Sequence, residues 1–440
     1  MASPIPWHRL ALRRLLQLDR PVQPATDEEV SAAAERNYRW NFTVNLLDGA
    51  SFWFGLSFVS SSTIGPLFIS KLTDSPLAIG ALAVLAQGGW FLPQLFTANA
   101  VERLSRKKPV VVNLGFFLER LPMWLLIPAA LLAPSSATLA LLLFLLAFGM
   151  HMLGAGVVAT AWQDLIARCF PVEKRGRFMG LTTFVGTGMG AIGAAVSAWL
   201  LRTYAFPLNF AYTFLIAAAG ITLSWVFLAL TREPAQPPRG ERQNRRQFWE
   251  SLRRIMARDH NFRRFLVARI LLALGAMGQG FITVAAVRRW DVADSIVGGY
   301  TAALLLGQTA GTLVFGMLAD RFGHKLSLEL SGMATLSLFA LAWLAPSPAW
   351  YYMVFFLLGL YLGAIVVSGI LVVMEFSAPE RRPTYVGLAN TGVGVAGVLA
   401  PLLAVGIASI SYDLLFAVSA AISLCSLILM RWWVQEPRYL

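Results

Sequence analysis

The sequence predicts an all-α membrane protein with twelve transmembrane helices arranged as two pseudo-symmetric six-helix bundles. Three observations predict it. Hydrophobic residues make up 57% of the 440 positions and charged residues only 13%, about half the charge of a soluble domain. Twelve apolar stretches are long enough to cross a hydrocarbon core, which takes about 20 helical residues. The loop EKRGRFMGL (173–181) recurs as ERRPTYVGL (380–388), 207 residues on, each copy between two apolar spans.

The spans read as 42–69, 77–98, 109–132, 137–161, 178–201, 207–230, 264–287, 296–318, 326–345, 350–374, 384–409 and 412–434. They lack the alternation of barrel strands. Ahead of them, 1–41 reads as a cytoplasmic amphipathic segment without a secretory leader. Trp7, Leu10, Ala11, Leu15 and Leu18 share one helical face, as in a helix lying in the membrane interface. Thr26 to Glu29 has capping-box spacing for a helix leading into span 1.

The bundles are expected at 42–230 and 264–440, the second ending in a short tail. A Pro-, Gly- and Arg-rich linker, 231–263, joins them. Further paired fragments mark the doubling. REP (232–234) closes span 6 and QEP (435–437) closes span 12. Asn41-Phe42 opens span 1 and Asn261-Phe262 opens span 7. NAVERLSRKK (99–108) follows span 2 and GMLADRFGHK (316–325) follows span 8.

Thirty of the 36 Lys and Arg residues fall on the side that holds both termini. Basic residues concentrate on the cytoplasmic side, so both termini are expected there, in a plasma or inner membrane. The formal charge of +13 then suits contact with anionic lipid and implies no nucleic acid. Cys169 and Cys425 have no metal-ligand spacing, and no metal or cofactor is expected. A monomer is expected.

GMLADRFGHK resembles the loop signature of the major facilitator superfamily, G-x-L-a-D-R-x-G-x-[KR], between the second and third spans of a half. The resemblance covers the chain after about residue 40. The first copy departs from it, with Ala98, Ser105 and Glu102 at the glycine and acid positions. The resemblance implies a secondary transporter working by alternating access, with spans 1, 4, 7 and 10 around a cavity. Gly316 and Gly323 are expected to permit a tight loop. Charge clusters there are expected to gate the cytoplasmic side: Glu102, Arg103, Arg168, Glu173 and Arg175 with Asp164 in the first half, and Asp320, Arg321, Lys325, Glu375, Glu380 and Arg382 in the second. The expected pairs are Arg168 with Glu102 and Glu375 with Arg321.

Charges within spans cost about 2.5–3.5 kcal/mol on insertion scales, so each needs a reason. Asp48 in span 1 and Arg269 in span 7 are expected either to meet across the pseudo-twofold axis as an inner gate or to snorkel to the cytoplasmic interface. Glu119 and Arg120 lie deep in span 3. Helix neighbours point about 100° apart, so at least one is expected to reach another span. These four, with His151 and Gln279, are the candidates for solute or proton coupling. An acid in span 1 favours a cationic or amphiphilic solute and proton-coupled efflux, whereas Arg120 and Arg269 would suit an anion. In span 5, Gly186, Gly190 and Ala194 have the small-residue spacing of close helix packing. No GxxxxGK[ST], HExxH or GxSxG occurs, so nothing indicates ATP use or an enzyme. A lipid translocator or a sensor of the same fold is the alternative.

Overall fold

The computed structural model describes residues 13–18, 26–102, 104–234, 253, 255–369, 371–376 and 382–437. Trp7, Leu10, Ala11, Arg103, Glu380 and most of the linker fall outside them, as do the side chains of Glu102, Glu173, Asp320 and Arg382. The chain is all-helical across the described residues, and eleven helices there are long and apolar enough to cross a membrane.

The remaining span, span 1, is broken. Its first part, Asp27–Ser57, starts from the Thr26 capping box and runs unbroken into the membrane region. The helix stops before the run FVSSST and resumes as Ile64–Leu72. Serine hydroxyls compete for backbone hydrogen bonds, and Ser60 shows how: its hydroxyl accepts from the Ser62 amide at 3.4 Å. Span 7 is interrupted at the matching place. His260–Gly275 passes through a 3-10 segment, Ala276–Phe281, into Ile282–Trp290. The span 1 break is held by the other half: Thr283, just past the span 7 interruption, donates to the Ser62 carbonyl at 2.7 Å, and Thr301 of span 8 to Thr63 at 2.7 Å.

Span 2 is Pro76–Glu102, span 4 Ala137–Cys169, span 5 Val172–Thr203 and span 6 Leu208–Ala229. Span 8 is Asp294–Phe322, span 9 His324–Leu344, span 11 Arg382–Ala408 and span 12 Tyr412–Trp432. Span 10 is Trp350–Ser368, followed by Leu371–Glu375. Side-chain caps start several: Ser136 accepts from Leu139, Asp259 from Phe262 and Ser411 from Asp413.

Neighbour relations repeat between the halves. Span 1 packs on 5 and 6, as span 7 packs on 11 and 12; span 2 packs on 4, as 8 packs on 10. Across the halves, span 5 lies on span 8 and span 2 on span 11. Glycine makes these contacts close. Methyl groups on Gly307 and Gly311 of span 8 would run into the carbonyls of Phe356 and Leu360, and on Gly359 and Gly363 of span 10 into the backbone of span 8. In the first half, Gly156 of span 4 meets the Gly89 and Trp90 carbonyls in the same way. Gly186 and Gly193 of span 5 lie on Trp53 and Ser57 of span 1, while Gly190 also meets Leu305 of span 8.

The paired sequence fragments form matching clamps. Asn41 bonds both ways with the Arg232 backbone, at 3.0 and 2.9 Å. Asn261 bonds both ways with the Gln435 backbone, at 3.0 and 2.8 Å. Each ties the start of a half to its end.

The halves are joined on one face. At the face away from the termini, Lys71 pairs with Asp294 at 2.7 Å and Arg288 with Asp74 at 3.1 Å. Towards the terminal face, positions 180, 316 and 387 on spans 5, 8 and 11 have nothing within 4 Å of an added methyl. Among the described residues, the ion pairs on that face run within the first half and its flanking segments or within the second half.

Candidate functional site

Span 3 departs most from a regular helix, and the departure builds the site. Val110–Leu114 and Phe116–Arg120 are π-helical, Leu121–Leu125 is 3-10, and only Leu126–Leu132 is α-helical. Pro122 lacks the amide that would bond the Leu118 carbonyl. That oxygen lies against Gly154 of span 4, where a methyl would overlap it. One turn back on span 4, His151 Nδ1 meets the Glu119 carbonyl at 2.8 Å. A carbonyl only accepts, so Nδ1 carries the proton.

The distorted backbone overturns the expectation that Glu119 and Arg120 cannot satisfy each other. Their side chains pair directly, on a turn that is π-helical, a distortion frequent at functional sites. Asp48 accepts from Ser224 of span 6 at 2.6 Å and faces the Arg120 charge. Asp48 is 7% exposed, Glu119 3%, Arg120 4% and His151 1%. Four of the six coupling candidates thus gather inside the first half, between spans 1, 3, 4 and 6.

The other two stand elsewhere. Arg269 does not meet Asp48. It faces the Tyr361 hydroxyl of span 10, and one of its terminal nitrogens lies beside Gly369. Each charge is held by its own half, so the inner gate expected from this pair is not formed. Gln279 sits in the span 7 interruption, next to Gly280, which faces Ala83 of span 2.

The terminal-face residues form separate clusters. Arg168 bonds the Ser105 carbonyl at 2.8 Å and Asp164 at 3.1 Å, and lies 3.7 Å from Glu233. Lys107, fully buried, pairs with Asp164 at 3.1 Å and donates to the Val101 carbonyl. Glu233 accepts from the Lys107 and Lys108 amides at 2.7 and 2.9 Å, capping the start of span 3. Burial raises the Glu233 carboxyl above the usual range, against the pull of these amides and Arg168. Burial likewise lowers the Lys107 ammonium, against the nearby acids. Arg175 donates to the Phe170 and Ala167 carbonyls. Lys107 and Glu233 went unnoticed as site residues, although the REP and QEP match pointed at Glu233.

In the second half, Lys325 pairs with Glu329 at 3.0 Å, and Arg321 lies over the Phe322 ring. Glu375 ends the short helix after span 10. Gly323, at φ 93°, is the turn glycine, with its Cα beside the Glu436 carboxylate. Gly316 lies inside span 8 and makes no turn.

Glu233→Ala is expected to cost about 1.5–3 kcal/mol, the worth of hydrogen bonds to a charged group. A thermal melt in detergent would read it. An unchanged melt would mean that the carboxylate is not what holds the two amides.

These features define a multi-pass membrane protein whose two halves repeat one helical plan. The chain belongs to the major facilitator superfamily, whose sequence profile matches residues 47–293 and 266–439. Proteins of this family are transporters and not enzymes. The 3-(3-hydroxy-phenyl)propionate transporter of Escherichia coli (strain K12) is 32% identical over 176 residues, 39% of this chain. The match spans 42% of that relative's length. Among solved structures, a D-xylose-proton symporter superposes with a TM-score of 0.66 at 14% identity, covering 90% of this chain and 98% of its own. A POT family transporter in complex with a thioalcohol-conjugated peptide reaches 0.68 at 11% identity, covering 88% and 94%. At these identities the superpositions show the fold alone.

Proposed function

We propose that this chain is a secondary transporter moving a small organic solute by alternating access. Two units, 42–230 and 264–440, rock about the linker 231–263, with 1–41 ahead of them. Both termini lie in the cytoplasm, in keeping with the basic bias, and the membrane is the plasma or inner membrane. One observation carries the reading: the ion pairs described between the halves, Lys71 with Asp294 and Arg288 with Asp74, both lie at the far face. That is one end state of a two-state carrier.

Proton coupling is assigned to the Asp48 cluster. It holds two acids and one arginine out of water. An uncompensated buried charge is costly, so this cluster favours taking up one proton. The cationic-solute expectation rested on a free acid in span 1, but Asp48 is engaged by Ser224 and Arg120. A small organic acid fits better, in line with the phenylpropionate named for the relative. A lipid translocator or sensor would show no gradient-driven flux.

The test is uptake of 3-phenylpropionate into proteoliposomes with and without an imposed pH gradient, and the reading requires that the gradient drive accumulation. A second arm examines the closed face. Asp294→Lys is expected to raise maleimide labelling of a Thr63→Cys reporter, and Lys71→Asp in the same chain to restore protection. An ion pair of this exposure is worth about 1 kcal/mol at most, so the shift in labelling should be a few-fold. Equal labelling in all three proteins would remove the far-face pairs from the closure.

A further inference from the structure

The two arginines buried in the membrane region are compensated in opposite ways. Arg120 has a carboxylate against it in Glu119 and a second facing it in Asp48. Arg269 is 4% exposed, yet no acidic side chain among the described residues pairs with it. Its Nε is buried without a partner. The group facing the guanidinium is a phenol, Tyr361, which is itself buried. A lone cation this deep costs several kcal/mol unless an anion joins it.

The placement suits a ligand. Arg269 stands nine residues beyond His260, the start of span 7, about 14 Å along the helix from the terminal face. Spans 7 and 10 are not among the closely packed helix pairs, and Arg269 and Tyr361 bridge them through their side chains. Gly369 lets the guanidinium come close to the end of span 10, since a methyl there would sit 3.1 Å from it.

We infer that Arg269 and Tyr361 form the binding site for the carboxylate of an organic acid substrate. The guanidinium presents paired donors that match a carboxylate edge. The phenol supplies a further O–H donor to the same group. The carboxylate neutralises the buried charge when it binds, and its apolar body extends into the space between the halves. This assignment rests on the transport reading for its purpose, but its chemistry is tested by binding alone.

The experiment is calorimetric titration of the purified full chain with 3-phenylpropionate and with its uncharged amide, 3-phenylpropionamide. Wild-type protein should bind the acid at least about tenfold more tightly than the amide, since a charged hydrogen bond is worth about 1.5–3 kcal/mol. Arg269→Gln should bring the affinities for acid and amide to within about twofold of each other, because the charged contact that separates them is gone. Arg269→Lys should keep part of it, and Tyr361→Phe should weaken acid binding about tenfold. Ligand-free melting is the second readout. Arg269→Gln should melt no lower than wild type, because it removes an uncompensated charge. Equal affinity for acid and amide, no acid binding by folded wild type, wild-type acid binding by Arg269→Gln, or a marked loss of stability in that variant would overturn the assignment. The transport reading would fail differently, through absent gradient-driven uptake and unchanged far-face labelling.

Discussion

Gly307→Leu is expected to abolish folded protein. At this position span 8 rests directly on span 10. A side chain on Gly307 would enter the Phe356 carbonyl, while Gly359 opposite already sits on the Leu304 carbonyl. Gly311 and Gly363 repeat the contact one turn on. Small residues four apart let two helix backbones touch, and in lipid that packing replaces the missing hydrophobic drive. Overpacking a core side chain typically costs about 1–3 kcal/mol because the neighbours can shift. Here the neighbour is backbone, held on both sides by the matching glycines, so the helices must separate. Size-exclusion chromatography of a fluorescent fusion would show the monodisperse peak lost. Gly332→Ala is the control, because its methyl would meet Leu427 at an ordinary 3.7 Å. A normal peak from Gly307→Leu would mean that spans 8 and 10 do not depend on this contact.

Arg120→Gln should be the most damaging charge change. It strands Glu119 and Asp48 together in a dry site, and breaking a buried pair from one side costs about 3–5 kcal/mol. The melting temperature in detergent should fall sharply at neutral pH and recover as pH drops, because protonation removes the stranded charges. Asp48→Asn in the same chain should restore part of the loss. Additive effects of the two substitutions would show that Asp48 and Arg120 do not interact. Arg269→Gln should show no such fall, so the two arginines part company in one assay.

Much of the fold was legible because a lipid-exposed helix must be apolar over a set length. The doubling was legible because Asn41, Asn261, Arg232 and Gln435 do the same job twice and are kept in the same order. What sequence alone could not show was backbone irregularity. Glu119 and Arg120 diverge on a regular helix, and nothing in their own residues announces the π-helical turn before Pro122 on which they pair. Span 1 read as continuous because FVSSST is apolar enough to pass, yet its serines compete with the helix ladder. The site was half legible. Intramembrane charges mark themselves, so Asp48, Glu119, Arg120, His151 and Arg269 stood out. Which of them meet depends on spans 3, 6 and 10, whose facing residues Ser224 and Tyr361 carry no charge to announce them.

The bond from Thr283 to the Ser62 carbonyl has a consequence for how the far face can part. Separating the halves there would bare a peptide oxygen that its own interrupted helix does not satisfy, and a bare buried acceptor costs about 1–3 kcal/mol. Water arriving at Ser62 cancels that cost. Hydration and separation are therefore one event at this point, and a dry opening is disfavoured by the backbone itself.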